Sequence, residues 1–176
     1  AASDVYKRQG YDLLLDAWSK VHQKHPEWIL DIYGEGEDKN MLLEKRKNLA
    51  LENSVLFHPP TSDIYQKYMD SDFYVMSSRY EGFGLVLAEA MSCGIPCVSF
   101  DCPHGPSDII KDHEDGLLVE KENIKELADK ICYLIENENV RIKMGHKARE
   151  NVKRFLPENV MPQWKNLFES LTYSSK

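Results

Sequence analysis

Two carboxylates, Glu81 and Glu89, stand eight positions apart around a glycine-bracketed helix start in the run EGFGLVLAEA, Glu81 to Ala90. Such an arrangement reads as a ligand site. Gly82 and Gly84 let the backbone turn sharply and approach a bound group closely. The apolar run over 85–91 then predicts a buried helix. Its opening N–H groups, reinforced by the positive end of the helix dipole, make a seat for phosphate. Glu89 falls about a turn and a half into the helix, among Leu87, Ala88, Ala90 and Met91. An ionised group without partners is costly there. A lone helical glutamate would ordinarily pair with a nearby Lys, Arg or backbone N–H, but the spacing to Glu81 favours a ligand.

The flanking segments must position these groups. Residues 73–76 (FYVM) predict a short buried strand and 77–80 a loop, and after the helix Gly94-Ile95-Pro96 turns into a second strand over 97–100. Strand, loop, helix, strand is one unit of a parallel sheet, and ligands of such sheets gather at the carboxyl ends of the strands. The same alternation runs through the rest of the chain. Leu14, Ala17, Trp18 and Val21 have helical spacing over 10–25, with Pro26 as the stop. A strand follows over 28–33, Gly34-Glu35-Gly36 turns into a helix over 39–51, and a strand over 55–58 ends at Pro59-Pro60. By itself the Gly34 turn is an ordinary strand-to-helix connection. A short helix over 61–68 leads to the 73–76 strand. Beyond Phe100 the segment DCPHGPSDII is a loop opening a helical turn at Ser107, and Asp115-Gly116 turns into a strand over 117–119. Ile124, Leu127, Ala128, Ile131, Leu134 and Ile135 mark an amphipathic helix, another spans 140–155, and a last one after Pro157 carries Val160, Trp164, Leu167, Phe168 and Leu171 on one stripe.

The stretch SSRYEGFGLVLAEAMSCGIPCVSFD resembles the donor-site signature of retaining family-4 glycosyltransferases, within the glycosyl transferases group 1, in which two glutamates are separated by seven residues. The resemblance extends over about residues 10–171 and implies an α/β fold. That fold is a Rossmann-like parallel sheet flanked by helices, the C-terminal half of a two-domain GT-B architecture. It also implies roles. Glu81 would hydrogen-bond hydroxyls of the transferred sugar as a positioning group of the catalytic site and not as a covalent catalyst. The N–H groups near Gly82, Phe83, Gly84 and Leu85 would hold the donor diphosphate, and Glu89 would accept from the ribose hydroxyls. The Gly34 loop would border the nucleotide, His58 would lie near the base, and His104 would approach the donor. Relatives carry two basic diphosphate ligands just before the GYDLLLDAW segment; Gln9 stands where the lysine is expected, so the diphosphate site is expected to be incomplete.

Composition is compatible with this and decides less. The 176 residues, 42% hydrophobic and 29% charged, suit one ordinary globular domain. A formal charge of −7 argues against nucleic acid or an anionic membrane as the main partner. Cys93, Cys97, Cys102 and Cys132 have no metal or redox spacing and read as free buried thiols; the histidines are scattered, and no metal is expected. No apolar stretch approaches the ~20 residues of a membrane span and no signal peptide is recognisable, which predicts a cytoplasmic protein. Residues 1–9 (AASDVYKRQ) resemble the translation of a transposon-end adapter, so the natural sequence is expected to begin at about Gly10.

The expected function is therefore the donor-binding half of a glycosyltransferase that moves a sugar from a nucleoside-diphosphate sugar, with retention of anomeric configuration and no cofactor. The expected partners are the nucleotide-sugar and the missing N-terminal acceptor domain of the same enzyme, through which any peripheral membrane association would run. Alone, the fragment is expected to lack the first strand of its sheet, to be poorly stable and to be inactive. A nucleotide-sugar epimerase-like isomerase and a non-catalytic nucleotide-sugar-binding module are the alternatives.

Overall fold

The computed structural model describes residues 9–173. Helices and strands alternate: α1 (Tyr11–Lys24), β1 (Leu30–Tyr33), α2 (Lys39–Asn48), β2 (Val55–His58), α3 (Ile64–Met69), β3 (Tyr74–Met76), α4 (Leu85–Ser92), β4 (Cys97–Asp101), α5 (Pro106–Ile109), β5 (Gly116–Glu120), α6 (Ile124–Glu136), α7 (Glu138–Asn151) and α8 (Pro157–Tyr173). The predicted 28–33 strand starts later, at Leu30. Pairing begins where the Leu30 N–H reaches the Ser54 carbonyl (2.8 Å), while Trp28 instead stacks on Phe73 (5.6 Å) under the Arg141 guanidinium (5.3 Å). The helix expected over 39–51 ends at Asn48. Ala50 takes a left-handed φ of 53°, and the Leu51 N–H turns back to the Arg46 carbonyl at 3.0 Å. The long helix expected over 140–155 is likewise divided, with a 3-10 turn at Val152–Phe155 after α7.

All strand pairs among the described residues are parallel, as the alternation requires, and they form two separate groups. β1 pairs with β2 in the register Leu30↔Val55 to Tyr33↔His58. In the other piece β4 lies between β3 and β5, with Cys97 opposite both Tyr74 and Gly116. Among the described residues the order is β2-β1, then β3-β4-β5, with no strand between β1 and β3. In a doubly wound sheet of order 3-2-1-4-5-6, that interval is the place of the first strand.

Period-two alternation along β4 and β5 divides the core between the faces. Val98, Phe100, Leu117 and Val119 face a cluster containing Leu14, Leu15, Trp18 and Val21 of α1 and Leu127, Ile131 and Leu134 of α6. Cys97 and Leu118 face the other cluster, with Leu87, Ala90 and Met91 of α4 and Ala148 of α7. The first cluster also contains Ile32 of β1 and Val55 of β2, so α1 lies across both half-sheets and binds them into one core. Cys97, Cys102 and Cys132 are buried free thiols, and Cys93 is half-buried. α8 is different: its stripe of Trp164, Leu167, Phe168 and Leu171 lies exposed and does not pack on this domain's core. None of the helices of the described residues is long and apolar enough to cross a membrane.

Candidate functional site

The loops that leave the carboxyl ends of the strands meet around the tip of α4. Gly84 sits at its N-cap with φ 84°, in the left-handed region, and turns the chain from the 77–83 loop into the helix. Its N-cap glycine has no side chain to cap the tip, and the first turn holds no acidic residue. The opening N–H groups of a helix lack intrahelical partners, so the α4 tip can accept an anion. Phe83 and Leu85 flank it, both exposed. Phe83 is braced from behind, because its ring packs edge-on to Phe155 (5.3 Å) and its backbone is approached so closely by Gly105 that a Cβ there would collide with it. Gly82 has no left-handed φ and faces open space; what it provides is room, not the sharp turn expected of it.

Glu81 is half-buried and held in place by a local contact: the Ser78 hydroxyl donates to its Oε1 at 2.7 Å. Glu89 is also half-buried. The partner that satisfies it is neither a cation nor a backbone N–H but the Tyr68 hydroxyl, which donates to its Oε2 over 3.4 Å. Burial, and then the Glu89 charge, push the Tyr68 hydroxyl well above the ordinary tyrosine range, so it remains a neutral donor.

Glu89 lines a cavity of about 680 Å³ that also reaches Gln9, Tyr11 and Tyr33. A smaller cavity of about 160 Å³ adjoins it, lined by Gln9, Tyr11, Tyr33, Gly34, Glu35, Gly36 and Lys39. The Gly34 N–H donates to the His58 carbonyl at 3.1 Å, the His58 ring stacks on Tyr33 (4.5 Å), and its Nε2 pairs with the Asp31 carboxylate. The fold thus brings Glu89 and Gly34 to adjoining hollows that share Tyr33, while His58 lines neither and reaches them only through its stack on the Tyr33 ring. Glu81 and residues 82–85 line neither cavity, whereas Val86 and Glu89 of the same helix line the larger one. His104 packs edge-on to Tyr80 at 6.4 Å, beside the Glu81 loop.

Sequence reasoning missed Arg79. Its guanidinium makes two 2.8 Å hydrogen bonds to Asp12 at the start of α1 and reaches Glu122 beyond β5 at 3.4 Å, tying three segments together behind the site. That bidentate contact holds the Asp12 carboxyl below the ordinary aspartate range. Its signal in the sequence is only an arginine two residues ahead of Glu81. Gln9 is drawn into the same junction, its carbonyl accepting from the Ser77 hydroxyl at 3.0 Å. Among the described residues no three His, Cys, Asp or Glu side chains converge as a metal site would require.

The family model described as Glycosyl transferases group 1 matches residues 2–151. A glycosyltransferase of Haemophilus influenzae is 34% identical over 163 residues, 93% of this chain and 46% of the relative. A structure of S. aureus TarM in complex with Fondaparinux, alpha-GlcNAc-glycerol and UDP superposes with a TM-score of 0.87 at 36% identity, covering 92% of this chain and 33% of that one. The pneumococcal O-GlcNAc transferase GtfA, in complex with UDP and GlcNAc, gives 0.81 at 31% identity, over 94% of this chain and 34% of the other. The chain therefore spans less than half the length of these relatives.

Proposed function

The chain belongs to the glycosyl transferases group 1 family, and on that premise we propose that it is the donor-binding half of a retaining enzyme that moves a sugar from a uridine diphosphate to an acceptor. The observation that carries this reading is the uncapped tip of α4 between Glu81, just ahead of it, and Glu89, within it. Its N–H groups point a preorganised positive field at the diphosphate, where negative charge grows as the sugar–phosphate bond breaks. Gln9 adds no charge to that task, so in this half it falls to the backbone donors, without a metal or other cofactor. Glu81, fixed by Ser78, positions the sugar through its hydroxyls. Glu89 exchanges its long contact with Tyr68 for the ribose hydroxyls, and the base lies against the Tyr33–His58 stack beside Gly34. Attack comes from the face the diphosphate leaves, with no protein nucleophile. The acceptor is bound by another part of the polypeptide.

Calorimetric titration with UDP and with UDP-GlcNAc tests the assignment. Glu89→Gln is expected to weaken both ligands about tenfold, the loss of a charged hydrogen bond. Glu81→Gln is expected to leave UDP affinity unchanged and to abolish the extra affinity of the sugar nucleotide. In the complete enzyme Glu81→Ala should remove turnover. Equal weakening of UDP by both glutamine variants, or no saturable binding of either ligand, would refute these roles.

A further inference from the structure

Between Gly82 and Gly84 the loop that leads into α4 has a single side chain by which it can be held, that of Phe83. Gly82 faces open space and Gly84 takes its left-handed φ of 84°, so the backbone on either side of Phe83 has wide conformational freedom of its own. An anion seat made of backbone N–H groups is effective only where those groups are fixed before the ligand arrives. What fixes them here lies far along the chain, in the 3-10 turn Val152–Phe155. Two contacts hold Phe83, and both lead to Arg154. In the first, the Phe83 ring packs edge-on to Phe155 at 5.3 Å, and the Arg154 guanidinium lies over the Phe155 ring at 4.5 Å. In the second, Gly105 is pressed against the Phe83 carbonyl so tightly that no Cβ could be placed there. Gly105 is the N-cap of α5, and the same guanidinium donates from Nη2 to the Asp108 and Ile109 carbonyls of α5 at 3.1 and 2.6 Å. Its Nη1 donates to the Asn151 carbonyl of α7 at 2.9 Å. One cation therefore ties the 3-10 turn, α5 and Phe155 into a block against which Phe83 is set. Val152 and Phe155 also share an apolar cluster with Leu87 and Met91, so the block supports α4 as well as its entry loop.

We infer that Arg154 and Phe155 are positioning residues for the donor diphosphate, acting through Phe83 on the N–H groups at the tip of α4. The inference deepens the donor-binding reading and rests on it. Neither side chain needs to touch the ligand. Phe155 supplies a rigid ring edge. Arg154 supplies what a lysine could not, a flat cation that stacks on that ring while its fork of N–H groups engages carbonyls of both α5 and α7. Without the block α4 would still form, because Leu87, Ala90 and Met91 are buried. Phe83 and the glycines beside it would then sample other arrangements, and the seat would be complete for only part of the time. A ligand that binds only the complete seat loses apparent affinity in proportion to that fraction.

The test is calorimetric titration of the full chain with UDP in the parent protein, Phe155→Leu, Arg154→Lys, Phe83→Leu and the Phe83→Leu/Phe155→Leu double variant. With the seat complete for about a tenth of the time, Phe155→Leu and Arg154→Lys each weaken UDP about tenfold. In the Phe83→Leu background, where the braced ring is already gone, Phe155→Leu should add less than about a further twofold; a merely structural role would cost the same in both backgrounds. Phe155→Tyr, which restores the ring edge, should return UDP affinity to within about twofold of the parent. Without nucleotide, Phe155→Leu should speed amide hydrogen exchange about tenfold at Leu87, whose N–H bonds the Gly84 carbonyl (2.9 Å), and leave Cys97–Asp101 unchanged. Parental UDP affinity in Phe155→Leu, or additive losses in the double variant, would overturn the inference. Arg154→Lys keeps the charge and decides the matter if a leucine variant does not fold, since parental UDP affinity there overturns it equally. A parent protein that takes up no UDP would instead refute the donor reading, and exchange at Leu87 would still decide whether the block holds the tip.

Discussion

Arg79 and Asp12 tie the loop that carries Glu81 to the start of α1. Both side chains are partly exposed, about a quarter and a third respectively, so solvent screens their attraction and the pair stabilises the fold by about 0.5–1 kcal/mol. The Asp12 carboxyl is held below its ordinary value by the Arg79 hydrogen bonds, and a depressed carboxyl stabilises the folded state at pH values above its unfolded pKa of about 4. That contribution disappears as pH falls through the lower folded value. Arg79→Ala should therefore lose about 0.5–1 kcal/mol in urea unfolding at pH 7, and the gap to the parent protein should narrow as pH falls below about 4. The two glutamates were legible because an acidic pair flanking a glycine-led apolar run is unusual. Tyr68 and Asp12 were not, since each reaches its partner only after α3 has packed on α4 and α1 against the 77–80 loop.

The elements were readable to within a few residues, because apolar period and Gly/Pro punctuation reflect the same burial and backbone sterics that form them. Pro26 and Pro157 bound α1 and α8 as expected, and the Ser107 turn is the short α5. Gly145 illustrates what period alone hides. In an isolated helix, Gly145→Ala would stabilise by about 1 kcal/mol. Here α7 crosses the turn between α4 and β4 so closely that a Cβ at Gly145 would run into the Gly94 carbonyl oxygen, with the Pro96 side chain close behind. Gly145→Ala is therefore expected to destabilise by about 1–3 kcal/mol, lowering the urea midpoint without changing the slope. A gain in stability would show that α7 moves aside without cost.

At the scale of the whole molecule, α8 and the divided sheet both present surface that the described chain does not cover. Trp164 and Phe168 stack on each other at 5.9 Å on the exposed side of α8, so replacing both with glutamate should leave stability within about 0.5 kcal/mol while reducing concentration-dependent self-association in sedimentation. A large loss of stability would mean that the stripe is part of the core after all. The sequence by itself determined the alternating parallel architecture, the glutamate pair and the helix tip between them, because periodicity, glycine spacing and charge placement act over a few residues and are written locally. Which of those groups share a hollow was decided only by the tertiary structure. Glu89, Tyr33 and Gly34 come to adjoining hollows while Glu81 and His58 line neither, because strand order and helix packing join residues far apart in the chain whose contacts no local pattern records.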